Sequence, residues 1–76
     1  MDTTHTTETA APVAARLYNA RLYLRRTRRN MLRANAERDA VAEGTREHDR
    51  RRVVAEVMFT TYLRARSEFF AAGGIL

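Results

Sequence analysis

From Val13 the apolar positions recur at Leu17, Ala20, Leu24, Thr27, Met31, Ala34 and Val41, in steps of 4, 3, 4, 3, 4, 3 and 7. Such a heptad seam, held over about four repeats, predicts a long helix that buries one stripe against another helix. Arg38 is its one clear violation. Neither Gly nor Pro interrupts the pattern until Gly44, so the first helix is expected over about 10–43. Thr9 suits its N-cap, and Pro12 is tolerated in a first turn, where its missing N–H has no partner to lose.

Gly44–Thr45 is the only internal punctuation. Gly44 suits a left-handed helix end, Thr45 an N-cap, and Glu47 a first turn facing the positive end of a helix dipole. A second helix is expected over about 46–72, with its main stripe at Val54, Val57, Met58, Thr61, Ala65, Phe69 and Ala72. Gly73–Gly74 ends it, and Ile75 is placed to fold back on Phe69. The fold class is therefore all-α: an antiparallel two-helix hairpin over 10–76, preceded by a Thr-rich, flexible tail at 1–9. One unbroken helix in a long coiled coil is the alternative, because a single Gly costs only ~1 kcal/mol inside a helix.

Each helix carries more apolar surface than one seam uses. Roughly opposite the first stripe of helix 1 lie Tyr18, Leu22 and Leu32, with Ala36 and Ala40. In helix 2 the main stripe leaves Phe59, Leu63 and Phe70 on a separate face. Isolated surface apolar residues are normal. Three large ones at helical spacing point instead to contact with another chain, since burying each is worth roughly 1.5–3 kcal/mol. Size points the same way. A chain of 76 residues with no Cys has neither a large core nor disulfides to staple it. Its expected partner is therefore a second copy, giving a helical bundle, or a different protein.

Charge changes this picture in one place. All 14 basic residues are Arg, and the net charge is +5. Coding bias in a GC-rich genome produces such a set; so does selection for the bidentate guanidinium. Residues 9–36 hold seven Arg and no acid, whereas 37–56 hold five Arg and six acids and look self-neutralising, with pairs such as Glu47–Arg51. Folding at 44/45 sets residue 44−k opposite 45+k. Arg33 then comes near Glu56 and Arg21 near Glu68, but Arg25, Arg26, Arg28 and Arg29 find no acid. With Arg33 they form the candidate contact for anions. Three uses are compatible with them: a solvated face whose Arg stems cover apolar neighbours, a phosphate-binding surface flanked by Tyr18 and Tyr23, or a match to an acidic protein surface. A fourth, lying on anionic lipid with Leu22 and Leu32 among the Arg, fits the two-sided apolar pattern poorly.

Little else carries chemistry. His5 falls in the tail. His48 sits in Glu47-His48-Asp49, but consecutive helical residues point about 100° apart and cannot chelate together. Ser67 has no triad around it, and there is no Gly-rich phosphate loop. No catalytic residue, metal site or cofactor is expected. No run nears the ~20 apolar residues of a spanning helix, and no leader-like apolar segment lies near Met1. These readings describe a water-soluble, non-catalytic interaction or assembly module, cytoplasmic or virion-associated, for example a small phage accessory or an adaptor. The alternative is a small basic nucleic-acid-binding regulator. The expected partner is a second copy, or a protein offering acidic and apolar surface.

Overall fold

The two helices, α1 (Asp2–Asp39) and α2 (Arg46–Ala71), run antiparallel, α2 lying beside the C-terminal part of α1 from about Leu17 onward. The computed structural model describes the backbone of residues 2–76 and the side chains of residues 12–76. α1 begins at Asp2, not near 10, so residues 2–9, expected as a tail ending in the N-cap Thr9, are helical backbone and Pro12 lies inside the helix; the side chains of His5 and Thr9 lie outside the described residues. The molecule measures 64 × 19 × 14 Å, a slab two helices wide and one helix thick. The hairpin, not the unbroken helix, is what the chain forms.

α1 stops at Asp39, four residues short of the expected 43. Paired helices sit 8–10 Å apart, and the chain has to cross that gap. Residues 40–45 do so. Ala40 N–H still donates to Ala36 O (3.1 Å), while Val41 N–H tightens onto Arg38 O (3.3 Å). Gly44 makes the turn at φ +82°, a value that disfavours any side chain. Thr45 caps α2 as expected. Its backbone is extended, and its Oγ1 accepts from His48 N–H (3.1 Å) while its hydroxyl donates to Ala42 O (2.7 Å).

The α1 seam is the expected one from Leu17 onward; Val13, expected at its start, is exposed. Leu24, Thr27 and Ala34 are buried, and Leu17, Ala20, Met31, Arg38 and Val41 are half-buried. Thr27 is tolerated because its hydroxyl donates within its own helix, to Tyr23 O (2.9 Å) and Leu24 O (3.1 Å). The α2 stripe differs from expectation. Met58, Ala65, Phe69 and Ala72 face in, but Val54 and Val57 are exposed. Arg51, Ala55 and Tyr62 take their place, with His48, so the true seam is 48, 51, 55, 58, 62, 65, 69 and 72. Its steps of 3 and 4 repeat as regularly as those of α1.

Packing explains the choice. With 44−k opposite 45+k, Leu24 meets Ala65, Ala20 meets Phe69, and Leu17 meets Ala72. At this end of the hairpin large residues thus oppose small ones, which lets the side chains interdigitate. Leu24, Ala65 and Phe69 form the buried cluster, with Leu17, Ala20, Tyr23 and Tyr62 against it. Ala34 lies opposite Ala55, where a Val in the seam would push the helices apart. Arg51 belongs in the seam through its stem. Its guanidinium reaches out to Glu47 (2.8 Å) and across to Glu37 (3.0 Å).

The end of α2 is closed by a Schellman turn: Gly74 N–H donates to Phe69 O (2.9 Å) and Gly73 N–H to Phe70 O (3.0 Å), with Gly73 at φ +95°. The expected cover of Phe69 by Ile75 is not what buries the ring, because Ile75 is 89% exposed. Gly74 lies directly on the ring instead, so close that a Cβ there would collide with it.

Candidate functional site

The seam fixes which way every other side chain points. Successive helical residues turn by about 100°, so the positions one and four places after 17, 24 and 31 point straight out of one broad side of the slab. In α1 these are Tyr18, Arg21, Arg25, Arg28, Leu32 and Asn35. In α2 the matching positions are Phe59, Leu63, Arg66 and Phe70. Because the helices run antiparallel, both sets emerge on the same side, here termed the front face. All five of its large apolar residues are exposed: Tyr18 61%, Leu32 53%, Phe59 51%, Leu63 42% and Phe70 45%. Leu22, expected with them, is also exposed but points along the outer edge of α1, almost opposite the seam. Five of the six expected interface residues thus share a face, and the sixth does not.

Arg and aromatic rings interleave on this face. The Arg66 guanidinium lies over the Phe70 ring at 5.7 Å, a cation–π contact, and the Phe70 ring packs against Phe69 at 6.0 Å. A shallow groove runs between Arg21, Arg25 and Arg28 on one side and Tyr62, Phe69 and Ile75 on the other, floored by Leu24. Arg21, Arg66 and Tyr62 belong to this surface but were not among the expected site residues. Arg66 sits seven residues from Phe59 and four from Phe70, and that spacing is the signal that could have found it.

The expected arginine set is divided by the fold. Arg25 and Arg28 lie on the front face. Arg29 lies on the outer edge of α1, and Arg26 and Arg33 turn to the rear face. Together they form a band round the solvent-facing half of α1, not a single face. Among the described residues, none of the five joins an ion pair. The expected neighbours Arg33 and Glu56 do not pair, nor do Arg21 and Glu68. Each pair is level along the hairpin but lies on opposite broad faces. Glu56 is taken instead by Arg52 (3.0 Å).

Near the turn the charges neutralise one another, as expected. Arg51 joins Glu37 and Glu47, Arg50 approaches Glu47 (3.7 Å), and Arg38 bonds Asp39 (3.0 Å). Among the described residues no cluster of His, Asp and Glu could hold a metal. Among the described residues, no helix is long and apolar enough to cross a membrane. No protein-family model, curated protein or solved structure matches this chain.

Proposed function

We propose that this chain is a non-catalytic helical interaction module, which acts by laying its front face on another helical surface. The observation that supports it best is the gathering of Tyr18, Leu32, Phe59, Leu63 and Phe70 on one side, each more than 40% exposed. Covering the open half of such a side chain is worth about 1 kcal/mol. Five of them amount to roughly 5 kcal/mol of association before entropic costs. The hairpin's own core is thin: Leu24, Phe69, three alanines and Thr27. A module of this kind serves as an assembly component or adaptor, such as a small phage or virion accessory, in the cytoplasm or within a particle.

Photocrosslinking tests the reading without presupposing the partner. A benzoylphenylalanine replacing exposed Leu63 should give a discrete protein adduct in cells, and one replacing Thr60, on the outer edge of α2, should not. Equal adducts at both positions, or none at either, would overturn it.

The arginine band favours a second reading, a regulator bound to nucleic-acid backbone. Five phosphate contacts would lower log affinity against log salt with a slope of about −4.5 on a duplex. The double substitution Arg26→Ala, Arg29→Ala, both off the front face, would flatten that slope and leave front-face association intact.

A further inference from the structure

The front face supports a more specific conclusion, which rests on the reading that this face docks. We infer that its partner is a second copy of this chain, stacked front to front with its turn at the opposite end, in a four-helix bundle.

The first argument is angular. In a square bundle each helix meets two neighbours at about right angles. On both helices here, the inner seam and the front stripe are centred roughly 100° apart on the helical wheel. The overlap of two fronts is about 33 Å long for some 22 helical levels. It would bury roughly 1,200 Å² in total, at the lower edge of specific interfaces.

The second argument is the sign of charge along the face. Its open end carries Arg21, Arg25 and Arg66, with Arg28 nearer the middle. Its turn end carries Asp39, Asp49 and Glu56, alongside Arg52, which pairs with Glu56, and the Arg38 guanidinium, which bonds Asp39. A two-fold axis lying in the interface across the helices sets α1 on its own copy and α2 on its own copy, each antiparallel. Matching the front stripes knob to hole then places Arg21 against the copy's Asp39 and Arg66 against the copy's Glu56. Phe59 meets the copy's Leu63 close to the axis. The opposite choice, with both turns at one end, brings Arg21 over the copy's Arg66 and acid over acid. Like charges facing across a buried seam are unfavourable. The alternation of sign therefore selects the copy with its turn reversed. A partner of uniformly acidic surface would instead meet repulsion from the three acids at the turn end.

Double electron–electron resonance on the full chain decides the matter. With no native Cys, one spin label at Glu43→Cys reports the distance between turns. The reversed stack predicts about 40 Å, from some 26 residues of helix between the labels. A distance under about 20 Å, as expected of neighbouring helix ends 8–10 Å apart plus linkers, would overturn the inference.

Charge exchange supplies a second readout that leaves the hairpin core alone. Arg66→Glu should raise the dimer dissociation constant about tenfold, the ~1.4 kcal/mol expected of a like-charge contact. Adding Glu56→Arg should restore it to within about threefold. Absence of rescue would contradict the assigned pairing. A monomeric chain whose Leu63 position still crosslinks to a different protein overturns the second copy but leaves the docking face. A monomer with no adduct at all overturns both.

Discussion

Replacing Gly74 by Ala should destabilise the hairpin by about 1–3 kcal/mol, a cost seldom seen for a glycine near a chain end. A Cβ at position 74 would strike the Phe69 ring, and that ring is only 4% exposed within the buried cluster. Two responses are open. The ring can shift, straining its packing against Leu24 and Ala65, at the ~1–3 kcal/mol typical of overpacked sites. Alternatively the terminal turn can open, losing the bonds from Gly73 and Gly74 at about 1 kcal/mol each and uncovering the ring. The cheaper response sets the measured value.

Urea unfolding followed by circular dichroism, at one fixed protein concentration, reads the loss as a lower midpoint with an unchanged slope. A double-mutant cycle isolates the cause: in a Phe69→Leu background, Gly74→Ala should cost at least about 0.5 kcal/mol less. Gly73→Ala differs in kind. It meets open space but sits at φ +95°, so its cost of about 1 kcal/mol should persist in both backgrounds. A Gly74→Ala protein as stable as the parent, or a cost unchanged by Phe69→Leu, would refute the contact.

Thr45→Ala removes the acceptor for His48 N–H and should cost about 1 kcal/mol in thermal unfolding, or roughly 4–8 °C for a domain of this size. Arg51→Met keeps the stem in the seam but deletes the links to Glu37 and Glu47; because these groups are about half exposed, the loss should stay within about 1 kcal/mol and shrink in high salt. Ala55→Leu puts bulk opposite Ala34 and should lower stability by about 1–3 kcal/mol, whereas Val54→Leu, in the stripe expected from sequence but exposed in the fold, should change it by less than about 0.5 kcal/mol.

The class of fold was legible in the residues, and so was the α1 seam, because Leu17, Leu24 and Met31 mark a heptad that nothing else in α1 imitates. The α2 seam was harder to read. Three of its inward positions are alanines, one is an arginine and one a histidine, while Val53, Val54 and Val57 offer a brighter apolar signal on the wrong sides. Hydrophobicity ranks residues by transfer from water. An inter-helix seam also selects by volume, and Ala55 opposite Ala34 is chosen for being small. The error displaced Val54, Val57 and Thr61, and Phe59, Leu63 and Phe70 still lay outside the expected stripe. Level pairing along a hairpin, which suggested Arg33 with Glu56, says nothing of which broad face each residue occupies. That needs the seam of both helices. The grouping of Tyr18 and Leu32 with α2's aromatics, and the departure of Leu22 from them, became visible only when both seams were known.

The account's central claim is that the hairpin is half of an assembly closed through its front face. Sedimentation equilibrium of the full chain from about 1 to 300 µM, a span bracketing micromolar association, beside Leu63→Asp tests it most directly. The account predicts a species of twice 8.7 kDa for the parent and a loss of that species in the variant. A parent chain that sediments at 8.7 kDa throughout, or a variant that keeps the doubled mass, would contradict it.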